Sequence, residues 1–212
     1  MKIKTILFDL DGTLINTTGI ILSTFVETFK YFIPELVLDP KELTNFLGQT
    51  LFTTFEYYTD SKEKVDEMVK YYRILSNDKI EQGLKAFPFA EETLSYLKKK
   101  NIQIGVVTSK MRSIATYHLE LTHLKDYMDI IIGYEDATNH KPDPEPILNA
   151  IEKLNAKKQQ TIYIGDHEND ITAAKKAGIL SCAVTYSPRI QEMLLLQPEF
   201  VIDELKHIKD LI

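Results

Sequence analysis

Five short apolar runs, set among amphipathic stretches, constrain this 212-residue chain more than anything else in it. They are Ile6-Leu7-Phe8, the segment Ile102 to Val107, Met128 to Ile132, Thr161-Ile162-Tyr163-Ile164 and Leu180 to Val184. Each has the length of a buried strand. Helical spacing is expected over about 91–100, 113–121, 144–154 and 168–177, between or beside these runs. Strands that alternate with helices pair in parallel and are covered on both faces. The expected class is therefore α/β with a parallel sheet, whose ligands bind at the C-terminal strand ends.

One stretch breaks the alternation. From about Asn16 to Gly83 the chain carries helical spacing and no convincing strand. Ile21, Phe25, Phe29 and Phe32 recur at steps of three and four, and Pro34 closes that helix. Asp39-Pro40-Lys41-Glu42 is a start signal for a helix running to Gly48. Further helices are expected from Leu51 to about Tyr58 and from Lys62 to Gln82. The expected domains are thus a core of residues 1–15 and 84–212, and a four-helix insert of residues 16–83.

The strand ends carry the chemistry. The first run leads into Asp9-Leu10-Asp11-Gly12-Thr13-Leu14. Residues i and i+2 of an extended segment point the same way, so the two carboxylates face one edge. Two anions so close repel, and an oxygen-ligated divalent cation such as Mg²⁺ relieves that. Asp-Gly alone is a common hairpin turn. The second run ends in Thr108-Ser109, whose hydroxyls and following amides suit phosphate oxygens, although Thr-Ser by itself is an ordinary helix cap. Lys141, ahead of Pro142, sits on a loop feeding the next helix, with Asp143 as the expected cap. Asp166 and Asp170 follow Gly165 at the end of a buried run, spaced to share a helix face, where capping is the ordinary alternative to metal ligation.

Composition excludes several classes. A net charge of −6 is wrong for a nucleic-acid binder. No apolar run reaches membrane-spanning length, and Cys182 alone cannot form an intrachain disulfide. With no visible leader, a cytoplasmic location is expected, with no nucleic-acid or membrane partner, as a monomer or weak dimer.

In this order the four features resemble the motifs of the haloacid dehalogenase-like (HAD) phosphohydrolase superfamily, and the resemblance covers essentially the whole chain. It implies a Rossmann-like parallel-sheet core with an inserted helical cap that selects the substrate. Within the superfamily the chain is similar to the small-cap branch of phosphoglycolate phosphatases and PpaX-type inorganic pyrophosphatases. Asp9-Leu10-Asp11-Gly12-Thr13-Leu14-Ile15-Asn16-Thr17, Lys141-Pro142-Asp143-Pro144-Glu145-Pro146 and Pro198-Glu199-Phe200-Val201-Ile202 carry that likeness. Asn16 and Pro88-Phe89 depart from it, where many relatives have an acid and Pro-Gly.

The resemblance implies a nucleophile at Asp9 and an acid/base at Asp11. Mg²⁺ is implied on the Asp9 carboxylate, the Asp11 carbonyl, Asp166 and Asp170, the last directly or through water. Phosphate contacts are implied at Thr108, Ser109 and Lys141. Gly48-Gln49-Thr50 matches the substrate-specificity loop and equally an interhelical turn. The implied substrate is pyrophosphate, or alternatively phosphoglycolate or another small phosphorylated metabolite. Mutases of this type place a histidine soon after the first motif, and this chain has none before His118. A non-catalytic phosphometabolite binder would normally have lost an acid or the lysine. His167 reads as a solvent-exposed residue of a helix's first turn, next to a role in tuning the metal or touching substrate.

Overall fold

The computed structural model describes residues 2–47 and 49–212. In chain order the elements are β1 (Thr5–Phe8), α1 (Thr18–Phe32), α2 (Pro40–Asn45), α3 (Leu51–Glu56), α4 (Lys62–Gly83), α5 (Ala90–Lys99), β2 (Gln103–Val107), α6 (Arg112–Leu121) and β3 (Ile130–Ile132). Then come α7 (Glu145–Lys153), β4 (Thr161–Gly165), α8 (Glu168–Ala177), β5 (Leu180–Val184), α9 (Ile190–Leu195) and β6 (Phe200–Ile202). Two compact units result: residues to Asn16 with Lys85–Ile212, and Thr17–Leu84. Among the described residues no helix is long and apolar enough to cross a membrane.

The first unit is built on a six-stranded sheet of order β3-β2-β1-β4-β5-β6. Every pairing is parallel, with Phe8 of β1 opposite Val106 on one side and Ile164 on the other. Strand side chains alternate between faces. Leu7, Val107 and Tyr163 accordingly pack with Ile147, Ala150 and Ala173 of α7 and α8. Phe8, one residue on, meets Leu94 of α5 and Ile208 on the other face. Small alanines on α8 let that helix lie close to the sheet. The chain leaves β1 in one direction for β2 and β3, then returns across β1 to β4 and onward to β5 and β6. The reversal opens a crevice beyond the C-terminal ends of β1 and β4, where ligands of such sheets bind.

Two features differ from expectation. A sixth strand at Phe200–Ile202 and a closing 3₁₀ segment at Leu205–Leu211 extend the sheet edge. Phe200-Val201-Ile202 are β-prone, but no helix is expected ahead of them to continue the strand–helix alternation, and pairing with the edge strand β5 completes the strand. Helix α2 ends at Asn45, so Phe46 and Leu47 form a turn instead of continuing it. The expected stop at Gly48 lies outside the described residues.

The second unit packs its four helices around an aromatic core. Phe25, Phe29, Phe46, Phe55 and Tyr72 are all buried there. The Phe55 ring lies 5.6 Å from Phe25 and 5.5 Å from Phe29, both edge-on. Ser61 caps α4 by accepting from the Lys64 amide at 3.3 Å, and Thr50 caps α3 through Thr53 at 3.1 Å. Phe55 is fully buried, so Phe55→Ala should lower the unfolding free energy by about 3–5 kcal/mol in urea titration. A loss below about 1 kcal/mol would contradict this packing.

Candidate active site

Each acidic residue of interest sits where a strand stops. Asp9 directly follows β1 and is fixed by its amide donating to Ile164 O at 2.9 Å. Gly12, at φ +79°, turns the chain back. A Cβ there would come within 2.0 Å of Asp166 Oδ2, so only glycine lets the two turns approach. Gly165 does the same for Asp170, whose Oδ2 would lie 2.4 Å from an added Cβ.

Lys141 joins these turns. Its Nζ donates to Asp9 Oδ1 at 2.6 Å, Asp170 Oδ1 at 2.7 Å and Tyr163 OH at 2.9 Å. The Tyr163 hydroxyl in turn donates to Val107 O at 2.7 Å. The lysine's loop is shaped locally. Glu145 accepts from the amides of Thr138 and Asn139 at 2.8 and 2.9 Å, closing the loop at its base. These amides hold the Glu145 carboxyl below the ordinary range. Asp143 Oδ1 accepts from the Glu145 amide at 2.9 Å, but Pro144, not Asp143, stands at the N-cap of α7, because the helix starts one residue later than expected.

Of the residues singled out by sequence, Asp9, Asp166, Asp170 and Lys141 converge at the switch point. Asp11 is beside them, but its side chain turns to Lys110, with Nζ to Oδ2 at 2.6 Å. Thr108 is buried and its Oγ1 accepts from the Lys110 amide at 3.2 Å. Ser109 is exposed. Gln49 is exposed and belongs to the second unit, and Gly48 lies outside the described residues.

Two expectations need correction. Asp166 and Asp170 do not share a helix face, because α8 begins at Glu168. Asp166 stands on the preceding turn, and Asp170 folds back over Gly165 to meet it. His167 is not an exposed first-turn residue: it is the N-cap of α8, and its Nδ1 accepts from the Asn169 amide at 3.1 Å. Burial keeps its imidazole below the ordinary histidine range. Tyr163 and Lys110 were not singled out by sequence. Tyr163 sits inside an apolar run and reads as core, and a lysine after Thr-Ser reads as surface.

One oxygen from each of Asp9, Asp166 and Asp170 lies within 4.8 Å of the others. One ammonium cannot compensate three carboxylates in so dry a place. Burial, opposed by Lys141 and reinforced by Asp170, pushes Asp9 up to about 7. Burial together with Asp9 and Asp170 also holds Asp166 well above the ordinary carboxylate range. Lys141 keeps its proton: burial works against the charge, but Asp170 and Asp9 outweigh it. An all-oxygen donor set carrying excess negative charge fits a hard divalent cation such as Mg²⁺.

The haloacid dehalogenase-like hydrolase profile matches residues 6–184 of this chain. A pyrophosphatase PpaX from Oceanobacillus iheyensis is 36% identical over 209 residues, spanning 98% of this chain and 96% of that protein. A Bacillus cereus pyrophosphatase PpaX is 33% identical, spanning 98% and 95%. Among solved structures, a Bacteroides fragilis protein assigned as a haloacid dehalogenase-like hydrolase superposes with a TM-score of 0.87. It is 30% identical and covers 98% of this chain and 100% of its own.

The electrostatics predict a pH-dependent metal effect. With its folded pKa raised from 3.8 to about 7, Asp9 contributes stability that is full below 3.8 and lost as pH rises through about 7. A cation offsets that loss, so Mg²⁺ should raise Tm more at about pH 8 than at about pH 5.5. An equal shift at both pH values, read by scanning calorimetry, would contradict this charge balance.

Proposed function

Because the chain belongs to the haloacid dehalogenase-like hydrolases, we propose that its switch-point residues transfer a phosphoryl group to water. The observation that carries this reading is the buried lysine shared by Asp9 and Asp170, beside a carboxylate cluster suited to a cation. Asp9 attacks phosphorus in line, the bond to the leaving oxygen breaks, and an aspartyl-phosphate forms. Asp11 gives its proton to the leaving oxygen. It then takes one from the water that attacks the same phosphorus and frees Asp9. Lys141 and the hydroxyls of Thr108 and Ser109 balance charge on the phosphoryl oxygens. Mg²⁺, held by the Asp9, Asp166 and Asp170 carboxylates and the Asp11 carbonyl, would supply Lewis-acid stabilisation of the transferring group.

The proposed substrate is inorganic pyrophosphate, supported by whole-chain likeness to two proteins named pyrophosphatase PpaX. A small phosphomonoester such as 2-phosphoglycolate is the alternative, on the resemblance of the motifs to that branch. Substrate choice is assigned to the helical unit Thr17–Leu84, including Gln49.

Asp9→Asn should abolish phosphate release while leaving the fold intact. The amide has the shape of the carboxyl and keeps an oxygen to accept from Lys141, and Lys141 retains Asp170. Asp11→Asn should lower the rate by about 10²–10⁴. Phosphate release from equal concentrations of pyrophosphate and 2-phosphoglycolate, with Mg²⁺ and then with a chelator, tests the substrate. Metal-dependent preference for pyrophosphate is expected. Preference for phosphoglycolate would discard that substrate, and wild-type-like turnover by Asp9→Asn would discard the mechanism.

A further inference from the structure

The loop after β5 touches both turns that carry the carboxylates. Tyr186 OH donates to Thr13 O at 2.8 Å, just past Gly12 on the turn bearing Asp9 and Asp11. Its ring packs against Phe87, centroids 4.4 Å apart, which fixes the hydroxyl's direction. The next residue reaches the other turn: Ser187 Oγ donates to Asp166 O at 2.5 Å. Ser187 Oγ in turn accepts from the Arg189 amide at 2.9 Å. Between the turns, Thr13 Oγ1 donates to Asp166 Oδ1 at 3.3 Å. The Arg189 guanidinium anchors the far end of the loop on Glu168, with Nε to Oε2 at 2.8 Å and a second bond from its NH2 group to Oε1.

These contacts form a closed circuit through Tyr186, Thr13, Asp166 and Ser187. Tyr186 and Ser187 donate only to main-chain oxygens, so they fix position without competing for a cation. We propose that Tyr186 and Ser187 are positioning residues that set the spacing between the Asp9–Asp11 turn and Asp166, and thereby the affinity of the site for a divalent cation. This role rests on the carboxylate cluster being a metal site. Partners behind a ligating group hold it in orientation, and their loss costs about 10–100-fold in metal affinity.

The test is Mn²⁺ titration followed by the electron paramagnetic resonance signal of the free ion. It compares wild type, Asp166→Asn, Tyr186→Phe, Ser187→Ala and Ser187→Thr. Wild type should bind saturably and Asp166→Asn should not. Tyr186→Phe and Ser187→Ala should each weaken binding by about 10–100-fold, with Ser187→Thr recovering most of the loss by restoring the hydroxyl. Tyr186→Phe removes a single oxygen and decides the matter if Ser187→Ala fails to fold. If Asp166→Asn abolishes binding while Tyr186→Phe and Ser187→Ala stay within about twofold of wild type, the metal site stands and the positioning role is overturned. If Asp166→Asn binds like wild type, both fall.

Discussion

The Lys141 ammonium, held between Asp9 and Asp170, is the interaction on which the first unit's crevice depends. All three side chains are nearly dry, at 6%, 10% and 2% exposure. Removing Lys141 would strand both carboxylates, a change that typically costs about 3–5 kcal/mol, whereas loss of one carboxylate leaves the lysine the other. The fold tolerates so costly a group because each end of it is tied down. Tyr163 accepts one hydrogen bond from the ammonium and donates its own to Val107 O, so the lysine is oriented from beneath by the sheet. Glu145 and Asp143 hold the loop that delivers it from above.

The sheet explains why these groups meet at all. Reversal of strand order across β1 leaves two neighbouring strand ends uncovered by connections, and β1 and β4 are the ones that stop in aspartates. Two glycines then remove the atoms that would keep the turns apart. Gly12 makes room for Asp166, and Gly165 makes room for Asp170. The result is a concentrated negative charge with one compensating cation. Burial first, and the neighbouring carboxylates with it, raise Asp9 and Asp166, and the excess negative charge suits the cluster to a divalent ion.

Much of this was legible in the sequence because the chemistry sits at fixed offsets from apolar runs. Asp9, Asp11, Thr108 and Asp166 lie at or just beyond strand ends, Asp170 lies in the first turn of the helix after β4 and Lys141 on the loop before α7, and the alternation of strands with helices predicts a parallel sheet. What escaped was whatever depends on contacts across the chain. Tyr163 is indistinguishable from a core aromatic until Lys141, 22 residues earlier, is brought against it. The partnership of Lys110 with Asp11 spans 99 residues, and that of Tyr186 with Thr13 spans 173. Helix-face reasoning misplaces Asp166, because periodicity says nothing about a residue two positions before the helix begins. The short strand Phe200–Ile202 combines β-prone residues with an edge pairing to β5 that only the folded chain supplies.

The proposed nucleophile is Asp9, paired with Lys141 at the switch point. Rapid acid quench of the protein mixed with ³²P-labelled pyrophosphate, or with ³²P-labelled phosphoglycolate, followed by peptide mapping, is the decisive measurement. Label is expected on the peptide carrying Asp9 in wild type and none in Asp9→Asn. Label on any other residue, or full turnover by Asp9→Asn, would contradict it.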